Sequence, residues 1–505
     1  MTDLSNFLTK PFASEAVHAA YGGSFLHMRP APEVANGEVV LASLYRAVGF
    51  KDISETKVPI NGRKLEKSLS PQKPTETDGP VSSERLSSSD FLHLISNLIS
   101  SPKLHNQSGK RFLQINPLVP DAALYSLSAR LAGNSWNPGA LVASIVCTGN
   151  SSSNSASELW KKIYSALSID ESDDPWAQIL QKEFESKRPK DLSSDWSEPE
   201  NFSDSEPRIR SLYGLNFMTP AHCFCRDIET ILNLKKFVTR RQWTSMLESV
   251  LRLGTASHTL WVCDANRKCL RIIEDSIQNK RAYSTDEIEE ILSNSQFWSL
   301  GQPTSSVIEE YSREFLLGRV GVNLLFYLLE EHGFEIGSDA LSNSVRISAL
   351  THEISNIDNE LLFETYSQML AEITEENHRA FACKNGIAKN ILEFVQHVLR
   401  RRETGERGME SYDQGYFAKR RGSGKRGVWI TGLGPVALIS LVHSTLANAS
   451  GDKNIADFVA HLTGYGFETS VPELMQDDTG KSLRNLGLIL DSPDAEGGMV
   501  LNRPF

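Results

Sequence analysis

Between about residues 211 and 402, apolar side chains recur three and four positions apart, the spacing of helices that each bury one face. Three starts carry the capping-box pattern, in which a hydroxyl side chain and a Glu or Gln three residues on satisfy each other's backbone N–H groups. These are Thr239 with Gln242, Ser284 with Glu287, and Ser306 with Glu309. After Thr239, the residues Trp243, Met246, Leu247, Val250 and Leu251 fall on one face, which predicts a core stripe. One stretch breaks the pattern. Over 259–273 apolar residues flank Asp264, Ala265 and Asn266, and this predicts a small hairpin.

A chain of 505 residues implies roughly three folded units at about 100–200 residues each. With 40% hydrophobic and 23% charged residues it can bury real cores, which excludes wholesale disorder and a collagen-like repeat. The pattern divides into an N-terminal segment (1–50), a Ser/Pro-rich linker (51–90), a small helical region (91–150), an acidic mobile segment (151–210), the central helical domain (211–402), a basic Gly-rich loop (403–426) and a C-terminal module (427–505). The fold class expected is mainly α and multi-domain. Six irregularly placed cysteines fit a reducing compartment, not a disulfide scaffold. No apolar run is long enough for a membrane span or a signal sequence, so the expected location is the cytoplasm with no membrane partner.

The net charge of −11 is unevenly spread. Residues 169–206 hold 12 acids and 4 bases, and 427–505 hold nine acids and 4 bases. Residues 400–426 reverse the sign, with nine bases and four acids, and interleave Tyr412, Tyr416 and Phe417. A polyanion needs a local excess of Lys and Arg, and aromatic rings can stack on exposed bases. The nucleic-acid candidates are therefore Arg400, Arg401, Arg402, Lys419, Arg420, Arg421, Lys425 and Arg426. The competing reading is a solvated loop that pairs with the acidic stretch.

In the last eighty residues, 427–431 suit a short strand and Pro435 stands where a missing N–H opens a helix at least cost. Two more helical patterns follow, the last begun by Ser470 with Glu473, and then two extended runs joined by a turn-rich connection at 493–498. Three helices and a hairpin resemble a winged-helix domain, with 481–487 in the place of the recognition helix and 493–498 as the wing. That resemblance implies two roles: the third helix enters a DNA groove, adding Lys481 and Arg484 to the candidates, or the module binds protein only. The acidic balance of 427–505 favours protein docking.

Motifs for chemistry are few. Residues 421–426 imitate a phosphate loop but place Arg426 where Ser or Thr is required, and Gly432 with Gly434 lacks the second strand of a dinucleotide fold. His222, Cys223, Cys225, Cys263 and Cys269 are of zinc-binding types, yet one and five residues separate the paired cysteines where structural zinc sites commonly use two. The expectation is buried thiols and no cofactor. His352 and Glu353 begin a metallopeptidase helix whose second histidine is Asn356. The functional expectation is a non-enzymatic component of a multiprotein assembly, and the overall texture resembles accessory subunits of bacterial antiviral defence systems. The alternative is a DNA-binding adaptor that uses 400–426 together with the winged helix.

Overall fold

The computed structural model describes residues 4–28, 37–50, 88–103, 115–125, 138–186, 188, 195–203, 207–357, 360–404, 412–422, 427–447, 451–490 and 499–505. The linker proper, the turn at 493–498, Arg407, Lys425 and Arg426 lie outside them. The protein is mainly α-helical. The longer helices are α1 (Leu4–Thr9), α2 (Gly37–Gly49), α3 (Ser88–Ile99), α4 (Pro138–Thr148), α5 (Ser153–Leu167), α6 (Pro175–Ser186), α7 (Pro220–Asn233), α8 (Arg240–Gln278) and α9 (Thr285–Ser293). Strand β1 (Trp298–Ser299) precedes α10 (Thr304–Glu331), α11 (Ser344–Ser355), α12 (Glu360–Glu376) and α13 (Gly386–Leu399). A hairpin follows, β2 (Ala418–Arg421) and β3 (Val428–Thr431). The C-terminal module comprises α14 (Pro435–Ala447), α15 (Ile455–Gly464), β4 (Phe467–Glu468), α16 (Val471–Gln476), α17 (Asp478–Asn485), β5 (Ile489–Leu490) and β6 (Val500–Leu501).

The organising element is α8, 39 residues long and buried along most of its length. A helix buried on nearly every side must be surrounded, and α2, α7, α10, α11, α13 and α14 pack around it. Glycines make several of the close approaches possible. A Cβ on Gly254 would lie 2.1 Å from the Phe224 ring of α7, and one on Gly318 of α10 would lie 2.7 Å from the backbone of Asn266. One buried apolar cluster runs from Leu4 to Leu501. A smaller one joins α3 to α6 through Ile95, Ile99, Leu180 and Phe184.

The hairpin expected at Asp264–Asn266 is absent: these residues continue α8. Their polarity serves long-range partners instead of a turn. Asn266 donates to the carbonyls of Val262 (2.8 Å) and Leu26 (2.9 Å) and accepts from the Tyr21 hydroxyl (2.7 Å). Asp264 accepts from Ser295 (2.7 Å). The capping boxes at Thr239, Ser284 and Ser470 are present. The one at Ser306 is not, because α10 has already begun at Thr304 after Pro303. The acidic stretch also differs from a solvated segment where it is described. Asp173 is buried against Lys235 (3.0 Å) and Arg240 (3.1 Å), and Trp196 stacks on Tyr164 (5.0 Å) while donating to Ser168 (2.8 Å).

Among the described residues, three two-stranded sheets complete the fold. β2 and β3 are antiparallel with Lys419 opposite Ile430 and Arg420 opposite Trp429, β5 and β6 are antiparallel, and β4 runs parallel to β1. The third C-terminal helix is split at Asp477, whose extended backbone ends α16 while its carboxylate caps α17. Among the described residues no helix is long and apolar enough to cross a membrane.

Candidate functional site

The basic segment enters the fold at Arg400, where α13 ends, and its cations have separate fates. Arg402 is buried, and its backbone N–H donates to Asp413 Oδ2 at 2.7 Å. The guanidinium groups of Arg400 and Arg420 approach the same Trp429 ring, at 4.9 and 5.0 Å, and Arg401 lies 5.6 Å from that of Tyr416. Such contacts hold each cation against an aromatic face. Arg420 also meets Glu403 at 3.2 Å. Lys419 reaches across to Asp478 of α17 at 2.7 Å, and Lys481 meets the same carboxylate at 3.7 Å. Arg421 and Arg484 are exposed. Burial, helped by neighbouring arginines, lowers Arg400 and Arg402 to about 10.

Behind this segment lies a cluster of buried charges. Glu38 of α2, Lys103, Glu248 and Arg252 of α8, and Asp413 converge from four parts of the chain. Lys103 Nζ lies 3.0 Å from Glu248, 3.5 Å from Glu38 and 4.0 Å from Asp413. Arg252 donates to Asp413 (2.8 Å) and to the Val398 carbonyl (2.7 Å), and lies 3.5 Å from Glu248. Ser101 donates to Glu38 at 2.7 Å. Burial works to raise the Asp413 carboxyl, but the charges of Arg252 and Lys103 and the bonds from Arg252 and Arg402 hold it at about 2. Burial raises the Glu38 carboxyl, opposed by Lys103. Lys103 is carried upward by the three carboxylates against the cost of its own burial.

This cluster forms one wall of a cavity of about 500 Å³. Arg241, at the start of α8, donates to the Tyr412 hydroxyl at 2.6 Å and lies 5.2 Å from its ring at the rim. Sequence reasoning reached Arg402 and Tyr412 but missed Glu38, Lys103, Glu248 and Arg252. Their only local signal is the four-residue spacing of Glu248 and Arg252 on a helix.

The thiol and imidazole candidates are dispersed. Cys223 and Cys225 lie on α7, Cys263 and Cys269 within α8, all as buried free thiols. His222 spends Nδ1 on the Thr219 backbone N–H, 3.1 Å away, inside a capping box. Burial pushes Cys223 and Cys269 up to about 12 and raises Cys225 and Cys263 as well, which opposes the thiolate form that metals and electrophiles require. Among the described residues no group of three or more His, Cys, Asp or Glu is placed to hold a metal ion.

A second buried polar network joins the C-terminal module to the body. Asp227 of α7 accepts from the Tyr465 hydroxyl at 2.8 Å and lies 2.8 Å from His461 Nε2, while His461 Nδ1 is 2.6 Å from the Thr445 hydroxyl. Burial and the Asp227 charge push the Tyr465 phenol well up, so it stays a donor. No protein-family model matches the chain, and no curated protein gives a significant match.

Proposed function

We propose that the chain is a non-enzymatic, cytoplasmic component of a multiprotein assembly and that its C-terminal module docks a protein partner. The observation that carries this reading is the contact between Lys419 and Asp478. It takes one cation from the basic hairpin and places it against an acid on α17, the helix that would read DNA in a winged helix. Helices α14 and α15, a third helical stretch split into α16 and α17, and then β5 and β6 are the elements on which the winged-helix reading of this module rests. With Asp477 and Asp478 at its start, α17 opposes a phosphate backbone, whereas Leu486 and Leu490 leave 38% and 56% of their surface exposed just beyond it. Arg400, Arg402 and Arg420 are likewise occupied by rings, carboxylates or burial.

The test uses the intact chain. A partner should co-purify at fixed stoichiometry and be lost from a Leu486→Asp, Leu490→Asp variant that still folds; retention by that variant overturns docking at this surface. By the resemblance given above we assign the assembly to antiviral defence, and deleting the chain should then abolish phage resistance while its partners stay expressed. The alternative, a DNA adaptor, draws on exposed Arg421, Lys481 and Arg484. It requires duplex binding whose affinity falls steeply with salt, and salt-independent or absent binding removes it.

A further inference from the structure

The cavity beside the buried charges has the size of a small-molecule site, about 500 Å³ against the roughly 300–1,000 Å³ usual for such pockets. Its walls are of two kinds. Met246, Val436, Ile439 and Phe505 give it an apolar side, and Asn116, Ser245 and Gln414 supply neutral polar groups. Four lining residues are charged: Lys103, Glu248, Asp413 and Arg241. The first three neutralise one another together with Arg252, at distances of 2.8 to 4.0 Å.

Arg241 differs from them. Among the described residues it has no carboxylate partner; the hydrogen bond from its guanidinium goes to the Tyr412 hydroxyl. A guanidinium carries five N–H donors in a planar fork, so most remain available, and the Tyr412 contact fixes the group's orientation. The cavity therefore presents one oriented, uncompensated cation at the edge of an apolar wall. The geometry points to a small amphiphilic organic carboxylate as its ligand, the carboxylate on Arg241 and the hydrocarbon against Val436 and Ile439. A planar carboxylate matches the guanidinium fork. A phosphate dianion suits the site less well, because Glu248 and Asp413 line the same space and a second negative charge would find no cation to meet it. Stretches well separated in sequence meet here, so a bound ligand would tie together α8, α14 and the 412–415 stretch. This inference does not rest on the docking reading.

The probe is sodium octanoate on the intact chain, with octan-1-ol as its uncharged match and octyl phosphate as the dianion, followed by calorimetry and by thermal unfolding. A ligand that binds only the folded state raises the melting temperature in proportion to its occupancy. The expected result is saturable octanoate binding, at least 10-fold tighter than either comparison compound. Arg241→Gln should weaken it at least 10-fold, Arg241→Lys less, and Ile439→Trp, which fills the cavity, should remove it while circular dichroism stays native. Absent octanoate binding, equal affinity for octyl phosphate, or undiminished binding by a folded Arg241→Gln or Ile439→Trp chain would each overturn the inference.

Discussion

Among the carboxylates that lie almost wholly out of water, Asp413 and Asp227 each bring a late segment of the chain onto the central helices. Asp413 meets charges: the Arg252 guanidinium, the Lys103 ammonium and, through its backbone, Arg402. Asp227 meets a phenol and an imidazole, with the half-exposed Arg226 only at 3.9 Å. The first belongs to a many-membered ionic network along a cavity wall; the second is a bolt between α7 and α15 that lines no cavity described above. The difference concerns what is left behind when either is removed. Taking away one member of a buried ionic network strands its partners as unpaired charges, whereas taking away Asp227 strands hydrogen-bond donors.

The largest effect should follow from Asp413→Ala, which leaves Arg252 and Lys103 short of a counter-charge in a buried wall. Breaking a buried pair in this way costs about 3–5 kcal/mol, and denaturant unfolding of the intact chain would measure it. Replacing Arg252 by Met at the same time should recover part of that loss, since removing both partners removes the stranded charge. Asp227→Ala should cost less, about 1–3 kcal/mol, with the Tyr465 hydroxyl and His461 left without their acceptor. A loss from Asp227→Ala equal to that from Asp413→Ala would erase the distinction between the two sites.

How much of this was legible in the sequence depends on how far each signal reaches. Capping boxes at Thr239, Ser284 and Ser470 and the proline at 435 are read within four residues, and the helices they begin are present. Ser306 misled because Pro303, three positions earlier, already sets the start. The supposed hairpin failed for the opposite reason. Asn266 looks like a turn residue locally, but its partners Tyr21 and Leu26 lie some 240 residues away. The site was harder still, since Glu38, Lys103, Glu248 and Asp413 are single charges in unrelated contexts. Charge density along the chain carries no information about which side of the surface a residue occupies, so Arg402 reads as a surface cation and is buried.

The two regions should also separate by pH. Asp413 has its carboxyl held at about 2 in the folded protein, below the ordinary value of about 3.9. A depressed folded value contributes stability that is present above about pH 4 and is lost as pH falls through about 2, on the order of 2 kcal/mol. The advantage of the wild-type chain over Asp413→Asn should therefore narrow between pH 5 and pH 2. Glu38, raised by burial, acts in the other direction: its contribution is full below about pH 4.3 and is lost as pH rises through its higher folded value. The wild-type chain should lose ground to Glu38→Gln on the alkaline side. If both differences stay flat across pH 2–7, the ionic network does not titrate as its geometry requires.

The smallest effect belongs to the contact between the basic hairpin and α17. Lys419 and Asp478 form a close pair at 2.7 Å, but the Asp478 side chain is 61% exposed. An ion pair at such a surface is worth about 0.2–1 kcal/mol and weakens with salt, because water and counter-ions screen it. Lys419→Ala should therefore shift the unfolding midpoint slightly at low salt and by less at 0.5 M NaCl. Its value lies in what it does to binding. Removing Lys419 leaves Asp478 to Lys481 alone and makes the surface at α17 more negative, which should leave protein docking through Leu486 and Leu490 intact and make any association with DNA weaker still. A Lys419→Ala chain whose partner binding falls while its stability holds would move the docking surface from the end of α17 to the hairpin itself.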